Sequence, residues 1–266
     1  MAANDLDDAY ANASHIRGGD GFPAIWMRDS AIFRERMGAR SECDIAYGAH
    51  PRERLDLFRP AGEAQGLVVF VHGGFWRSFD KGTWSHFAEG ALKAGWAVAM
   101  PSYVLAPEDR ISAITAQVRA AIEQAAGLVA GPIRLTGHSA GGHLVARMLC
   151  ADAAPAEAVA RRIVRVVPIS GLFDLRPLMR TSLNDDLQLT EAEAEAESPI
   201  LSTRPLPVPV TAWVGGAERP AFVQQTRDFA AAWPRASMGV DMLSHHFDVI
   251  DGLRDPASPL MRALLA

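Results

Sequence analysis

Hydrophobic and polar positions along this chain form short apolar runs separated by longer amphipathic stretches, a pattern typical of a parallel sheet with crossover helices. The apolar runs predict eight strands, at residues 44–47, 54–59, 68–71, 97–100, 133–136, 163–167, 210–214 and 239–243. Helical periodicity predicts helices between several of them, at residues 83–93, 111–126, 142–150 and 221–232. The order of elements therefore predicts one α/β domain spanning residues 1–266.

Two stretches depart from this alternation. Residues 1–40 are polar and carry scattered aromatic residues, so we interpret them as an N-terminal arm anchored by Tyr10, Phe22, Trp26 and Phe33. Residues 172–208 follow the sixth strand and predict a short lid-like insertion. Within it, Thr190 and Glu193 form a capping-box pattern that predicts a short helix. We expect the glutamates at 191, 193, 195 and 197 to form a solvated face.

The composition narrows the function classes. The hydrophobic content of 49% and charged content of 21% are those of a globular protein, and the net charge of −5 argues against a nucleic-acid partner. The acidic N-terminus is unlike a secretory signal, and no apolar run is long enough to span a membrane, so we expect a cytoplasmic protein with no membrane partner. Cys43 and Cys150 form no metal-binding motif and are expected to be buried free thiols.

The most informative motif is Gly-His-Ser-Ala-Gly at residues 137–141. It lies between a predicted strand and a predicted helix. A serine on a strained turn of that kind exposes its hydroxyl, and the start of the helix directs free amide groups at an anion on the substrate. The motif predicts Ser139 as a nucleophile and the Ala140 N–H as a donor to an oxyanion hole.

A second motif, His-Gly-Gly-Phe-Trp at residues 72–76, follows the third predicted strand. Such a loop supplies further backbone N–H groups to an oxyanion hole. We expect Gly74 and Phe75 to be the donors, with Gly73 as the alternative. The His72 side chain is expected to form a hydrogen bond within the loop. Together the two motifs predict acyl transfer.

With these motifs the chain resembles the α/β-hydrolases, and among them the branch of kynurenine formamidases (arylformamidases) and small esterases, which carries His-Gly-Gly-x-Trp. Four further segments contribute to the resemblance: residues 51–58, 102–108, 215–218 and 246–247. The resemblance implies an α/β-hydrolase fold, with a mostly parallel sheet of about eight strands flanked by helices and a short lid insertion.

The resemblance also implies the chain order serine, acid, histidine. Three histidines follow Ser139, and of these His143 lies one turn into the helix behind it. The family pattern places the catalytic base directly before a phenylalanine, which selects His246, with His245 as the alternative.

The acid of this fold usually follows the seventh strand, which selects Glu218. Asp174, after the sixth strand, is the alternative. An acid orients the imidazole and stabilises its protonated form.

For substrate binding, the resemblance implies that Trp76 and Tyr103 lie near the pocket mouth with Phe75, where they stack on an aromatic substrate. Packing in the core is the alternative for Trp76. Arg110 or one of the lid arginines, Arg176 and Arg180, is a candidate for binding a substrate carboxylate, although a surface position explains each of them better.

The predicted function is a serine hydrolase that cleaves small carboxylic esters or aryl formamides, with short acyl groups such as formyl or acetyl. The alternatives are a general short-chain carboxylesterase and a catalytically inactive hydrolase-fold binding protein. No metal or cofactor is expected. The expected partner is a small-molecule substrate, and a homodimer is left open.

Overall fold

One mixed sheet of eight strands runs through the molecule. The structure is a computed structural model that describes residues 6–266. The strands are β1 (Ser41–Ala46), β2 (Arg54–Phe58), β3 (Leu67–Val71), β4 (Ala97–Pro101), β5 (Ile133–His138), β6 (Ile163–Ile169), β7 (Val210–Gly215) and β8 (Ala236–Asp241). Their order is β1-β2-β4-β3-β5-β6-β7-β8. Strand β2 runs antiparallel to β1 and β4, whereas the other neighbours are parallel. The predicted fold class is confirmed.

The edge strands differ most from their predicted boundaries. Strand β1 begins at Ser41 and β8 at Ala236, in each case ahead of the apolar run in the sequence. An edge strand buries little of its surface, so its residues are less apolar and its ends are harder to recognise. Met242 and Leu243, placed inside the last strand by the sequence, follow β8 and are exposed.

Ten α-helices occur in the described chain. They are α1 (Asp7–Tyr10), α2 (Phe22–Met37), α3 (Glu89–Lys93), α4 (Ile111–Leu128), α5 (Ala140–Arg147), α6 (Glu157–Ala160), α7 (Asn184–Leu187), α8 (Glu191–Ala196), α9 (Pro220–Ala232) and α10 (Pro259–Leu265). Helices α4, α5 and α9 match predicted ones, and α5 begins at Ala140, directly after Ser139. The helix predicted at 83–93 is instead two 3₁₀ turns, Lys81–Thr83 and Ser85–Ala88, followed by α3.

The predicted N-terminal arm contains the long helix α2, which the sequence analysis did not predict. Its buried positions are Trp26, Ser30, Phe33 and Met37, which have helical spacing. Three apolar side chains on the exposed face of the helix make its helical spacing of apolar residues hard to recognise in the sequence: Ile25, Met27 and Ile32. The aromatic anchors Tyr10, Trp26 and Phe33 are buried, and residues 1–5 of the predicted arm lie outside the described residues.

The core lies on both faces of the sheet, because alternate residues of each strand point to opposite sides. On β3, Leu67, Val69 and Val71 join one cluster, which includes residues of α4, α5 and α9. Val68 and Phe70 join the other, which includes residues of α2, α3 and α10. The carboxyl ends of the parallel strands are thereby held at one edge of a rigid sheet.

The insertion at residues 172–208 is folded into short helices. The Thr190 hydroxyl accepts a hydrogen bond from the N–H of Glu193, as the capping box predicted. The expectation of a solvated glutamate face is wrong for two of the four residues. Glu193 forms an ion pair with Arg110, and Glu197 is buried, where it accepts hydrogen bonds from Thr115 (2.7 Å) and Arg147 (3.1 Å).

Both cysteines are free thiols, as predicted, although only Cys150 is buried and Cys43 is exposed. Between residues 6 and 266, no helix combines the length and the apolar character that crossing a bilayer requires.

Candidate active site

Ser139 lies at the sharp turn between β5 and α5, with φ 55° and ψ −117°. This conformation is strained for a residue with a side chain, and the surrounding contacts hold it in place. The Ser139 N–H donates to the carbonyl of Ile169 at 2.8 Å. Gly141 passes so close to the end of β3 that a Cβ there would lie 1.9 Å from the Val71 carbonyl oxygen. The second glycine of the motif is therefore required by packing.

Glu218 and His246 form a buried pair at the same edge of the sheet. The Nδ1–H of His246 donates to Glu218 Oε2 at 2.6 Å. The other carboxylate oxygen accepts hydrogen bonds from the Ser170 hydroxyl at 2.5 Å and from the Gly215 N–H at 2.7 Å. These three donors fix the carboxylate, and the carboxylate fixes the imidazole with Nε2 available to accept a proton.

Ser139 and His246 line one cavity, while Glu218 lies behind the imidazole. Within residues 6–266 no hydrogen bond joins Ser139 to His246. The two residues are related by their positions in the wall of the same cavity. The alternative residues are held elsewhere. The Asp174 carboxylate forms an ion pair with Arg176 at 2.7 Å, and His245 bonds back to its own turn.

The loop at residues 72–76 lies directly beside the nucleophile turn. A Cβ on Gly73 would be 3.1 Å from Ser139 Cβ. Gly74 and Phe75 have positive φ angles of 115° and 49° and line the cavity. Among the described residues, the amide groups of Gly74, Phe75 and Ala140 donate to no other protein group. Unpaired N–H groups next to a serine are suited to bind a developing oxyanion.

The loop is supported from behind by buried rings. The Nδ1–H of His72 donates to the Gly73 carbonyl at 2.7 Å, so the predicted hydrogen bond within the loop is confirmed. The His72 ring stacks on Tyr103 at 4.3 Å, and the Tyr103 hydroxyl donates to the His72 carbonyl at 3.0 Å. Burial lowers the pKa of His72 to about 4, so this ring stays neutral near pH 7.

The placement of Trp76 and Tyr103 corrects the expectation that they border the pocket. Both side chains are fully buried, and neither lines the cavity. Trp76 packs edge-on against His143 at 5.1 Å. Both rings pack in the core, Tyr103 against His72 and Trp76 against His143, so neither is placed to stack on a substrate in the cavity.

The cavity has a volume of about 570 Å³, within the range of small-molecule sites. Aromatic side chains form much of its wall: Tyr10, Trp26, Phe75, Phe79, Trp84 and Phe247. Part of the wall comes from residues 7–20 of the N-terminal segment and residues 181–183 of the insertion, which we call the cover. The sequence predicts a lid at the insertion, residues 172–208, and the N-terminal segment contributes to the cover beside it.

Several contacts attach the N-terminal part of the cover to the rest of the molecule. The Asp7 carboxylate accepts a hydrogen bond from the Ser182 N–H at 2.6 Å, and Asp8 forms an ion pair with Arg219. The Tyr10 ring packs edge-on against Phe222 at 5.9 Å. In the sequence, the aromatic character of Tyr10 was the signal that residues 7–20 pack against the domain.

His138 is a further residue of the site. The sequence did not identify it, because a histidine ahead of the serine does not fit the chain order serine, acid, histidine. Its Nε2–H donates to the carbonyl of His246 at 2.8 Å, and the two rings lie 4.6 Å apart. Burial, with a smaller contribution from His246, lowers the pKa of His138 well below its usual range. A neutral His138 thus holds the backbone of His246, and its place directly before Ser139 was the only signal in the sequence.

None of the three candidate arginines lines the cavity, and the ion pairs of Arg110 with Glu193 and Arg176 with Asp174 engage two of them. The cationic side chain that does reach the cavity is Arg77, which is paired with Asp186 at 2.6 Å. In the part of the chain described here, no group of three or more His, Cys, Asp or Glu side chains is arranged to hold a metal ion.

The chain is similar to a known protein family and to individual proteins. A family model for the alpha/beta hydrolase fold matches residues 68–246, more than half of the chain. Kynurenine formamidase of Danio rerio is 29% identical over 250 residues, which cover 89% of this chain and 85% of the relative. Kynurenine formamidase of Salmo salar is 28% identical over 87% of this chain and 83% of its own length.

Solved structures also resemble this chain. A candidate thioesterase from Silicibacter sp. tm1040 is 50% identical, with a TM-score of 0.95 and coverage of 99% of this chain and 100% of that one. Esterase B of Lactobacillus rhamnosis is 18% identical, with a TM-score of 0.67 over 91% of each chain, a likeness that shows the fold alone.

Proposed function

The chain belongs to the α/β-hydrolase fold family and is a hydrolase, and from that premise we propose that it cleaves short acyl groups from aromatic amines or alcohols by a serine mechanism. One observation carries the proposal. Ser139 and a histidine whose Nδ1–H is held by a buried carboxylate line the same aromatic cavity. That arrangement matches the geometric roles of nucleophile, base and orienting acid.

In the proposed reaction, Ser139 Oγ attacks the carbonyl carbon of the substrate while its proton passes to Nε2 of His246. Glu218 stabilises the imidazolium that forms. His246 then gives the proton to the leaving nitrogen or oxygen, and the bond from that atom to the carbonyl carbon breaks. A water molecule adds to the acyl-serine in the same way and releases the carboxylic acid, which is formate when the substrate is a formamide.

The negative charge on the tetrahedral intermediate needs donors beside Ser139. We assign this role to the N–H groups of Ala140, Gly74 and Phe75, with Gly73 as the alternative to one of the loop donors. Their free amides and the position of the loop support the assignment. A single donor of this kind typically contributes about 3 kcal/mol to transition-state stabilisation.

The substrate class follows from the wall of the cavity and from the relatives. Aromatic side chains suit a flat leaving group, since rings stack or pack edge-on against one another. The cavity of about 570 Å³ holds an aryl amine with a small acyl group. The formamidase relatives in Danio rerio and Salmo salar make an aryl formamide the first substrate to test.

The test is kcat/KM on N-formylkynurenine beside p-nitrophenyl esters of two, four and eight carbons. We expect turnover of the formamide and a preference for the two-carbon ester, because an acyl chain beyond a closed pocket gains no contacts and meets the wall. A preference for eight carbons would refute the short acyl group. Failure on N-formylkynurenine with good ester turnover would favour a general carboxylesterase.

Hydrolysis of short-chain thioesters is a second candidate. It is favoured by the candidate thioesterase from Silicibacter sp. tm1040, which is 50% identical and matches the chain over nearly its whole length. The same serine, base and oxyanion donors act on a thioester carbonyl. Acetyl and butyryl thioesters of a small thiol belong in the same panel. A kcat/KM above that for both formamide and ester would select this activity.

Two further predictions concern the protein as a whole. We propose a cytoplasmic location and allow for a homodimer, as inferred from the sequence. Light scattering of the purified protein at several concentrations tests the dimer, and a constant monomer mass would exclude it.

A further inference from the structure

The eight-stranded sheet ends in two edge strands, β1 and β8, which are protected to different degrees. An edge strand presents N–H and C=O groups to any strand that approaches, and proteins block such edges with charged side chains and irregular pairing. Strand β1 has both features. Its register with β2 shifts between Glu42 and Ile45, and it carries the charged residues Glu42 and Asp44. The β1 edge is therefore poorly suited to pair with another strand.

Strand β8 has neither protection. Its pairing with β7 continues without a register shift as far as Asp241, and no residue of β8 before Asp241 is charged. Val240 is 39% exposed, and directly after the strand Met242 and Leu243 are 71% and 91% exposed. Single exposed apolar residues are ordinary, but three of them within four positions at an open sheet edge indicate a surface that a partner covers.

The backbone of β8 determines which residues face the open edge. The Arg235 carbonyl, just before the strand, accepts a hydrogen bond from the Val210 N–H of β7 at 3.0 Å. The Asp241 carbonyl accepts from the N–H of Gly216, at the end of β7, at 2.7 Å. Successive residues of a strand direct their N–H and C=O groups to alternate sides. Because both of these carbonyls point towards β7, two residues between them direct N–H and C=O to the open edge: Met238 and Val240.

We infer that β8 is the contact surface of a homodimer, in which it pairs antiparallel with β8 of a second copy of the chain. This gives the homodimer proposed above its surface, and it is independent of the proposed hydrolysis. The two-fold axis passes Met238, because that register pairs β8 over its whole length. Each Met238 then exchanges two backbone hydrogen bonds with the partner's Met238, and each Val240 N–H donates to the partner's Ala236 carbonyl.

The charges at the two ends of β8 favour a second copy over a different protein. With Met238 on the axis, Arg235 lies opposite the partner's Asp241, and Asp241 lies opposite the partner's Arg235. Both side chains are exposed, and within residues 6–266 neither forms an ion pair or a side-chain hydrogen bond. The strand is thus self-complementary, with opposite charges facing each other at both ends. Met242 and Leu243 then lie beside the start of the partner's strand, which covers them.

This pairing also limits the size of the assembly. A two-fold contact uses the same surface on both copies, so the open β8 edge of each chain is occupied once the dimer has formed. The remaining edge, β1, is the protected one. The assembly therefore closes at two chains and does not extend into a longer sheet.

The test measures self-association by sedimentation velocity over a wide range of protein concentration, with charge reversals at the two ends of β8. The wild type should form a dimer that grows no further. Arg235→Asp places like charges opposite each other at both ends of the paired strands and should weaken the dimer by about tenfold in Kd, as should Asp241→Arg. The double variant with both changes restores opposite charges and should recover a Kd within about threefold of the wild type. The matched control is Glu42→Arg, a charge reversal on β1, which should leave the dimer unchanged.

Amide hydrogen exchange, followed residue by residue, gives a second measurement that locates the contact. In the wild type, the Met238 and Val240 amides should exchange more slowly as the protein concentration rises, because they become bonded across the dimer. In Arg235→Asp they should exchange faster than in the wild type at the same concentration.

Three results would overturn the inference: a wild type that stays monomeric or grows beyond a dimer, a double variant that does not recover the dimer, or exchange at Met238 and Val240 that does not depend on concentration. Loss of the dimer in Glu42→Arg would place the contact elsewhere and would also overturn it. None of these measurements uses substrate turnover. Failure of the proposed hydrolysis would therefore leave this inference standing, and loss of the dimer would leave the hydrolysis standing.

Discussion

The two sides of the cavity are built by different means. On one side, Ser139, Glu218 and His246 follow strands of a single sheet, and the last two are buried in a network of short hydrogen bonds. On the other side, the cover consists of short helices and turns. Its N-terminal part is attached through the pair of Asp8 with Arg219, in which Asp8 is largely exposed, and through the ring of Tyr10.

This difference suggests a division of labour. Chemistry needs atoms placed to a fraction of an ångström, and a packed sheet edge supplies that precision. Substrate choice needs a surface that varies without disturbing the chemistry, and a separately attached segment supplies it. Changes on the sheet side should therefore reduce turnover of every substrate, whereas changes in the cover should act through KM and substrate preference.

The largest effect is expected for Ser139→Ala. If Ser139 is the nucleophile, kcat/KM should fall by about 10⁴-fold or more on every substrate. The melting temperature should change little, because alanine fits the same turn. Ser237→Ala, which removes an exposed hydroxyl from β8 outside the cavity, is the matched control and should remain within about threefold of the wild type. Activity of Ser139→Ala within tenfold of the wild type would contradict the assignment.

The second largest loss of activity is expected for Glu218→Gln. This change keeps the side-chain shape but replaces one carboxylate oxygen with an NH₂ group, which donates hydrogen bonds. The imidazole then loses its orienting charge, and kcat should fall by about 10²- to 10⁴-fold. Asp174→Asn is the control, since that carboxylate is engaged by Arg176. The comparison is made under saturating substrate. A larger loss in Asp174→Asn than in Glu218→Gln would move the acid to the loop after β6.

The sequence predicted the sheet side of the cavity much better than the cover. Ser139, Glu218 and His246 each follow a strand, so local motifs together with the fold bring them to one edge. The N-terminal part of the cover has no motif, and its place at the cavity depends on contacts between residues hundreds of positions apart, such as Asp8 with Arg219. The aromatic residue Trp76 was misplaced because apolar character alone does not distinguish a pocket wall from a loop support.

A third prediction concerns His143, which packs against Trp76 of the loop at residues 72–76. His143 is fully buried, its Nε2–H donates to the Glu197 carbonyl at 2.7 Å, and burial lowers its pKa to about 3 from 6.5. The unfolded chain binds a proton at His143 below pH 6.5 while the folded protein does not, so stability is lost as the pH falls from 6.5 toward 3. At pH 5 this loss is about 2 kcal/mol for the one residue.

Urea unfolding at pH 7.5 and pH 5 measures that loss. His143→Gln keeps an N–H for the Glu197 carbonyl but does not titrate, so the difference in unfolding free energy between the two pH values should shrink by about 2 kcal/mol. The remaining difference comes partly from His72 and His86, whose pKa values burial lowers to about 4. An unchanged difference would show that His143 is not a source of the acid sensitivity.

The smallest effect is expected in the cover, for Arg219→Ala. This variant removes the ion pair with Asp8 and the hydrogen bonds that Arg219 donates to the Asp8 carbonyl at 3.0 and 3.2 Å. Exposed pairs contribute little, so we expect KM for N-formylkynurenine to rise by only about two- to threefold, with kcat on phenyl acetate unchanged. Arg161→Ala is the control, because its partner Glu157 lies on α6, away from the cavity. If Arg219→Ala instead lowered kcat on both substrates equally, the cover would share in the chemistry, and the separation between the two sides of the cavity would be refuted.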